Sequence, residues 1–421
     1  YGMKTKMKSG KEEIFLSIPD KNVIAVLEPS GGSPVGDLGE EVRRLLAAPT
    51  AGPSLEEIVL KGPARSVAVI VNDMTRSTPT ASMLPPLLEE LERLGVGREK
   101  VTVVVATGTH RPMTDDEIRV VLGDAVFGTV KVENHDCDSP DLVDMGILST
   151  GNRLLINKTV AEADLRIAIG EVLLHYYAGF AGGRKSILPG VAGRETVMNN
   201  HKMMTEPGVG IGVVDGNRLS EEMVEAVEKF CPLHFILNCV SDSSKHIVRV
   251  VGGHWYDAWR EGIATFRKYN FAPVSRKADV VFLSAGGYPK DINMYQAHKA
   301  LYMASRAVRP GGTLVFFAEL AEGYGHKVFE EWARRGMTHD EVIAAFTADF
   351  RFGAHKLFYL AQLAKECTIL LYSRAGEEDS RLMFCEKCDL TDTLPSLVRK
   401  YGEDFTSYVI PQAGIVLPVE E

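Results

Sequence analysis

The sequence predicts an α/β protein of two domains, each with a largely parallel sheet and with the active site in the cleft between them. Three observations carry this reading. The chain has 421 residues, beyond the roughly 250–300 at which a single core stops growing. From Ser66 onward, short continuous apolar runs alternate with helical stretches, the signature of parallel strands covered on both faces. The 39 glycines fit many sharp strand-to-helix turns.

In order, SVAVIVND reads as a buried strand, SMLPPLLEELERLG as a helix and VTVVVATG as a second strand. Thr114-Asp-Asp-Glu117 is a capping-box pattern that starts the next helix, which leaves THRPM as a loop. VKVENHD and LLINKTVAEAD continue the alternation, and LRIAIGEV is a third apolar strand that runs into LLHYYAGFAGGRK. Composition shifts at NFAPVSRKA, and a new series follows: DVVFLSAGG, a helix from about Asn293 to Val308, GGTLVFFAE and TILLYS. The domains are therefore expected at 1–272 and 273–421, with the last stretch, SYVIPQAGIVLP, free to return to either. No short repeat or low-complexity segment is visible.

Composition narrows the partners. A formal charge of -9, with no run of basic residues, gives nucleic acid nothing to follow and favours a small molecule. No apolar run approaches the roughly 18 residues of a membrane helix, and YGMKTKMKSGKEE has no hydrophobic signal core. A cytoplasmic protein is expected, with Tyr1 and Gly2 read as appended ahead of Met3; a homo-oligomer is left open. The cysteines, Cys137, Cys231, Cys239, Cys367, Cys385 and Cys388, are too few and scattered for a disulfide scaffold, and Cys385-x-x-Cys388 lacks a second pair for zinc.

Three strand-to-helix loops carry polar residues: NDMTRSTP, ATGTHRP and the segment His175 to Lys185. Ligands of open parallel sheets bind outside the carboxyl ends of the strands, so these loops are candidates for one site. Asp73 can orient a neighbouring imidazole, and Arg76 can grip a carboxylate in bidentate fashion. His110 follows a strand directly. His175 ends another and is followed by Tyr176, Tyr177 and Phe180, a partly dry wall. Surface or core histidines would look much the same, yet two on one sheet edge suit a reaction that needs a base on each face of a carbon. Racemisation is the simplest of these.

AGFAGGRKS resembles a phosphate loop, with Gly182 and Gly183 able to bring backbone N–H groups to an anion. It departs from the Walker pattern, because Arg184 precedes Lys185. Lys185 reads equally as a surface cation, a phosphate ligand or an amine bonded to a cofactor. His201 has no H-x-x-x-H companion, so it could hold a metal only if a cofactor supplied the other ligands. Gln296 and Lys299 share one face of a predicted helix, where they are either solvated or able to meet an anionic substrate.

Taken together, DMTRSTP, GTHRP, EVLLHYYAGFAGGRKSILPGVAG with the following NNH, and YQAHKAL resemble the lactate racemase family of nickel-pincer nucleotide enzymes, which includes other 2-hydroxyacid racemases and epimerases. The motifs span Asp73 to Leu301 in family order. The resemblance implies a pyridinium-3,5-bisthiocarboxylic acid mononucleotide that holds nickel, joined to Lys185 as a thioamide and lying against Gly182, Gly183 and Arg184. It implies His201 as the nickel ligand, consistent with the square-planar preference of Ni(II). It also implies His110 and His175 as acid/base residues, Asp73 as the group orienting His110, and Arg76, Gln296 and Lys299 as substrate ligands.

The implied reaction inverts the carbinol carbon of a small anionic 2-hydroxyacid through a 2-ketoacid, with the α-hydrogen moving as hydride. Domain 1–272 would hold the cofactor and the catalytic residues, and 273–421 would close over them. Cofactor biosynthesis proteins are implied as partners. Where the lactate-specific member carries a site-lining tryptophan, RFGAHKLFYL offers Leu357 or Phe358. That points away from lactate, toward a longer 2-hydroxyacid, a dicarboxylate or a sugar acid, with His355, Lys356, Arg351 or Arg306 as candidate ligands for a second anionic group.

Two other classes compete. A nicotinamide-dependent oxidoreductase would share the architecture, but no G-x-G-x-x-G follows the first strand; a 2-hydroxyacid oxidoreductase independent of NAD stays open. A nucleotide- or cofactor-binding protein without turnover would need Lys185 and the glycines but neither His110 nor His175.

Overall fold

The computed structural model describes residues 2–420. The chain divides into two units, Gly31–Lys268 and a second made of Tyr1–Ser30 with Tyr269–Glu421. This departs from the expected division at the N-terminus, where the first thirty residues join the C-terminal segment. The cause is strand pairing: Val23–Val26 lies parallel to Ser407–Ile410.

The unit Gly31–Lys268 is built on a six-stranded sheet in the order Ile247–Gly253, Phe235–Ser241, Leu165–Val172, Val67–Asn72, Val101–Ala106 and Lys131–Asn134. All neighbours are parallel except the edge strand Ile247–Gly253, which runs antiparallel. The two central strands are apolar on both faces because helices cover them. Val67, Val69 and Val71 share one cluster with Leu84, Leu87 and Leu91 of helix Thr80–Arg93. Each such side chain contributes about 1.5–3 kcal/mol on burial.

Helix starts follow the local chemistry. Thr114 and Glu117 form the expected reciprocal capping box of helix Asp115–Leu122, and the Asn157 side chain caps Lys158–Glu162.

The other unit holds a parallel sheet, ordered Glu386–Lys387, Thr368–Tyr372, Val308–Phe317, Ala278–Ser284, Ser407–Ile410 and Val23–Val26. The hairpin Gly2–Ser9 with Glu12–Pro19 turns Ile14, Leu16 and Ile18 into the same core as Val280 and Phe282. The C-terminal stretch stays here as well, since Leu417–Glu420 pairs with Phe271–Val274. Helix Met294–Ala304 starts at Asn293, whose side chain accepts from the Gln296 N–H. Among the described residues no helix is long and apolar enough to cross a membrane.

Candidate functional site

In the unit Gly31–Lys268 the strand order reverses between Val67–Asn72 and Leu165–Val172. Loops leaving the carboxyl ends of these two strands part in opposite directions, which opens the crevice where doubly wound sheets bind ligands. The NDMTRSTP loop and the His175 to Lys185 segment both start at that crevice, and ATGTHRP leaves the next strand, Val101–Ala106.

Asp73, 6% exposed, ends the first of these strands. Its Oδ1 accepts from the Thr75 N–H at 3.1 Å and from the Thr75 hydroxyl at 2.5 Å, while Oδ2 lies 2.7 Å from His110 Nδ1. Burial pushes the Asp73 carboxyl up, but the His110 and Thr75 hydrogen bonds outweigh it and leave it below its ordinary value. An ionised carboxylate only accepts, so His110 carries its proton on Nδ1 and keeps the Nε2 lone pair. The His110 ring remains more than half exposed.

His175 has the opposite arrangement. The Ala178 N–H donates to its Nδ1 at 3.3 Å, which leaves the proton of the neutral ring on Nε2. Burial, followed by the charges of Lys185 and Arg76, holds His175 well below the usual imidazole value. The Tyr177 ring stands edge-on to both His175 and His201, at centroid distances of 4.6 and 4.8 Å.

The glycine-rich segment is braced by its own unit. Gly179 has φ +73°, and a Cβ there would lie 1.9 Å from the Val213 carbonyl oxygen; only glycine fits. Gly182, Gly183 and Arg184, expected against a cofactor, are packed closely by their own unit on the side-chain face. A Cβ on Gly182 would meet the Asn238 side chain at 2.7 Å, and one on Gly183 would meet Trp259 at 2.9 Å. Gly183 N–H donates to Asn238 Oδ1 at 2.9 Å.

Arg184 is fully buried, and its guanidinium donates to the carbonyls of Ala178, Phe180 and Gly182 and to the Ser220 hydroxyl, stacking 4.0 Å over the Trp259 ring. Its planar fork ties the loop into one shape.

Lys185 follows in the short helical turn Gly183–Ser186. Burial, then Arg76 and Arg184, hold its amine well below the usual lysine value, which favours the uncharged, nucleophilic form. His201 lies in helix Arg194–Lys202; burial, then Lys185, holds its ring down to about 3. A neutral imidazole is the form that binds metal. Tyr177, in contact with both rings, ties His175 and His201 to one neighbourhood, and the Lys185 charge bears on both imidazoles.

Two further groups complete the crevice. Arg76 is exposed, and its charge reaches Glu171, His175 and Lys185. Glu171, 3% exposed, accepts from Ser77 Oγ at 3.3 Å. Burial raises its carboxyl, with Arg76 and Ser77 opposing.

A sequence profile described as the lactate racemase N-terminal domain matches residues 9–212, and one described as the lactate racemase C-terminal domain matches residues 274–357. The lactate racemase of Thermoanaerobacterium thermosaccharolyticum is 34% identical over 340 residues, 79% of this chain and 78% of that protein. The chain belongs to the lactate racemase family. A second relative, the lactate racemase of Lactiplantibacillus plantarum, is 32% identical over 324 residues, 76% of this chain and 75% of that protein.

Among solved structures, the lactate racemase apoprotein of T. thermosaccharolyticum superposes with a TM-score of 0.87 at 28% identity, covering 99% of this chain and 100% of that one. A Thermotoga maritima protein shares the fold alone, with a TM-score of 0.61 at 18% identity over 92% of this chain and 99% of that one. As a member of the lactate racemase family, the protein is an isomerase.

The remaining sequence-chosen residues of this lactate racemase family member lie in the other unit. Gln296 is exposed and Lys299 half-buried on helix Met294–Ala304. Leu357 and Phe358, the positions where the resemblance points to a tryptophan, are buried; the Phe358 ring packs 4.8 Å from Phe346. Both belong to the core. Lys356 is nearly buried and lies 5.1 Å over the Tyr295 ring. Burial, then Lys299, lowers its amine to about 7.

Sequence reasoning missed Glu171, Asn200 and Glu222. Glu171 stands in the quoted EVLLHYY motif, and an acid within an apolar strand was the available signal. Glu222, on an ordinary amphipathic helix, gave none.

Proposed function

We propose that this protein racemises or epimerises a 2-hydroxyacid, using a nickel-pincer nucleotide tethered at Lys185 and ligated by His201. The observation that carries the reading is the Tyr177 ring standing edge-on to both His175 and His201, at 4.6 and 4.8 Å, with the Lys185 charge bearing on both. The donor set fits the group: a neutral amine can form the thioamide, and a neutral imidazole can fill the open position of a square-planar nickel. Once bound, the group supplies a reversible hydride acceptor, which side chains lack.

The protein's own residues handle protons and orientation. His110 Nε2, aimed by Asp73, takes the substrate hydroxyl proton as the α-hydrogen departs and a planar 2-ketoacid forms. For hydride returned to the opposite face, His175 would donate the hydroxyl proton from its imidazolium form, having taken that proton from solvent, and His110 would give its own back to solvent, so that the alcohol is restored with inverted configuration. His175 starts neutral, and the negative charge of the substrate carboxylate favours its protonated form. Arg76 holds that carboxylate, and the resemblance assigns Gln296 and Lys299 to the same task.

The substrate class follows from the same reading: a small anionic 2-hydroxyacid. The partners are then the proteins that build the cofactor.

The test is the intact mass and nickel content of protein co-expressed with cofactor biosynthesis proteins, beside a Lys185→Ala control. A nucleotide-sized adduct with about one nickel, absent from the control, supports the reading; turnover of single enantiomers of 2-hydroxyacids then names the substrate. An unmodified, nickel-free chain beside a loaded positive control sinks it.

A further inference from the structure

A largely buried polar network stands behind His201. Asn200, the residue before His201 in helix Arg194–Lys202, is 0% exposed. Its side-chain amide donates to the Leu219 carbonyl at 3.1 Å and to Glu222 Oε1 at 3.0 Å. Both partners accept only, so the amide cannot be flipped. Its oxygen is the atom that faces His201 Nδ1, at 3.3 Å. An amide oxygen has no proton to give, so the hydrogen between the two residues belongs to Nδ1.

Glu222 anchors the arrangement. It is 2% exposed on helix Arg218–Glu225, and a carboxylate buried so deeply is costly unless it is well supplied with donors. It has three. Asn152 donates to Oε1 at 2.9 Å, Asn200 to the same oxygen, and the Thr150 hydroxyl to Oε2. The Asn152 amide also donates to the Thr196 carbonyl at 3.0 Å, one helical turn before Asn200. Glu222 is thus linked to the metal-bearing helix at two successive turns. Replacing this network by apolar packing would hold the helix as well, but it would leave the imidazole free to choose its tautomer.

We propose that Glu222 and Asn200 are positioning residues that fix the His201 ring with its proton on Nδ1 and its Nε2 lone pair presented to the metal. The inference rests on His201 being the nickel ligand. Histidine ligands commonly have the other ring nitrogen held by a hydrogen-bond acceptor, and loss of such a partner costs about 10- to 100-fold in metal affinity.

The experiment reads the tautomer directly, by long-range proton–nitrogen NMR on cofactor-free protein labelled at histidine. The expected result for the unaltered chain is the Nδ1–H form at His201. The ring also has a backbone hydrogen bond to Val197, so in Asn200→Ala the Nδ1–H share falls and the ring signals move toward the average without reaching it. Glu222→Gln keeps an oxygen for Asn152 and Asn200 and retains the Nδ1–H form. His135, whose Nε2 lies 2.9 Å from the Ala192 carbonyl, reports the opposite tautomer in every variant and confirms folding. In protein loaded with cofactor, Asn200→Ala releases nickel to a chelator about 10- to 100-fold more readily.

An Nε2–H tautomer at His201 in the unaltered chain overturns the proposal even if a variant fails to fold, and so does an unchanged tautomer in a folded Asn200→Ala. If the tautomer is as expected but no preparation ever carries nickel, the cofactor reading fails and the tautomer assignment stands.

Discussion

His110 Nδ1 lies 2.7 Å from Asp73 Oδ2, and this one contact decides what His110 can do. It fixes the tautomer, aims the exposed edge of the ring and leaves Nε2 as a base.

Asp73→Asn removes the charge and offers an amide that can turn its N–H toward the ring, so His110 is free to hold its proton on Nε2. Turnover number should fall about 100- to 10,000-fold, the usual range for a lost general base. Cofactor mass should be unchanged. Loss of the adduct together with activity would show that Asp73 acts on the fold instead.

Lys185 should be unusually reactive. Its amine sits well below the ordinary lysine value, so in cofactor-free protein it should acylate at about pH 8 faster than exposed lysines, whose values lie near 10.4. Peptide mass mapping after brief labelling checks this, with Lys356, lowered to about 7, as the internal comparison. Labelling of Lys185 no faster than the exposed set would refute it.

The loop carrying His110 is clamped by a titratable pair. Arg111 donates to both Glu117 oxygens, at 2.8 and 2.5 Å. The Arg111 hydrogen bonds, then the Thr114 cap, hold the Glu117 carboxyl down to about 2 from an ordinary 4.5. A folded value below the unfolded one means that the stabilisation is complete above about 4.5 and is lost as pH falls toward 2. The pair is exposed, so salt weakens it. The Arg111 side-chain resonances should therefore shift across that acid window, and in Glu117→Gln that shift should shrink to what the titration of Asp73 alone produces.

Gly179→Ala puts a methyl 1.9 Å from the Val213 carbonyl at a φ of +73°. Left-handed strain contributes about 1 kcal/mol and the forced backbone shift about 1–3 more. A denaturant midpoint lowered with an unchanged slope is the expected result; an unchanged midpoint would mean that the loop relaxes freely.

Much of this was written locally. The strand SVAVIVND and the capping box at Thr114 appear where the sequence put them, because apolar runs and caps depend on neighbours within a few residues. Arg184 shows the limit. Its chain neighbours suggest an anion ligand, yet its guanidinium stacks on Trp259, which also holds the Ala181 carbonyl from 78 positions away.

The sequence by itself determined the α/β class, the family and the segments that bear Asp73, His110, His175, Lys185 and His201, since periodicity and motif are properties of contiguous residues. Tertiary structure alone decided that the first thirty residues join the C-terminal unit. Val23–Val26 finds its partner strand beyond residue 400, and a parallel pairing at that separation leaves no local trace. It alone decided the tautomers as well. The proton on each ring is set by Asp73, by the Ala178 N–H and by Asn200 with Glu222 behind it, and a hydrogen-bond partner exists only once the chain has folded.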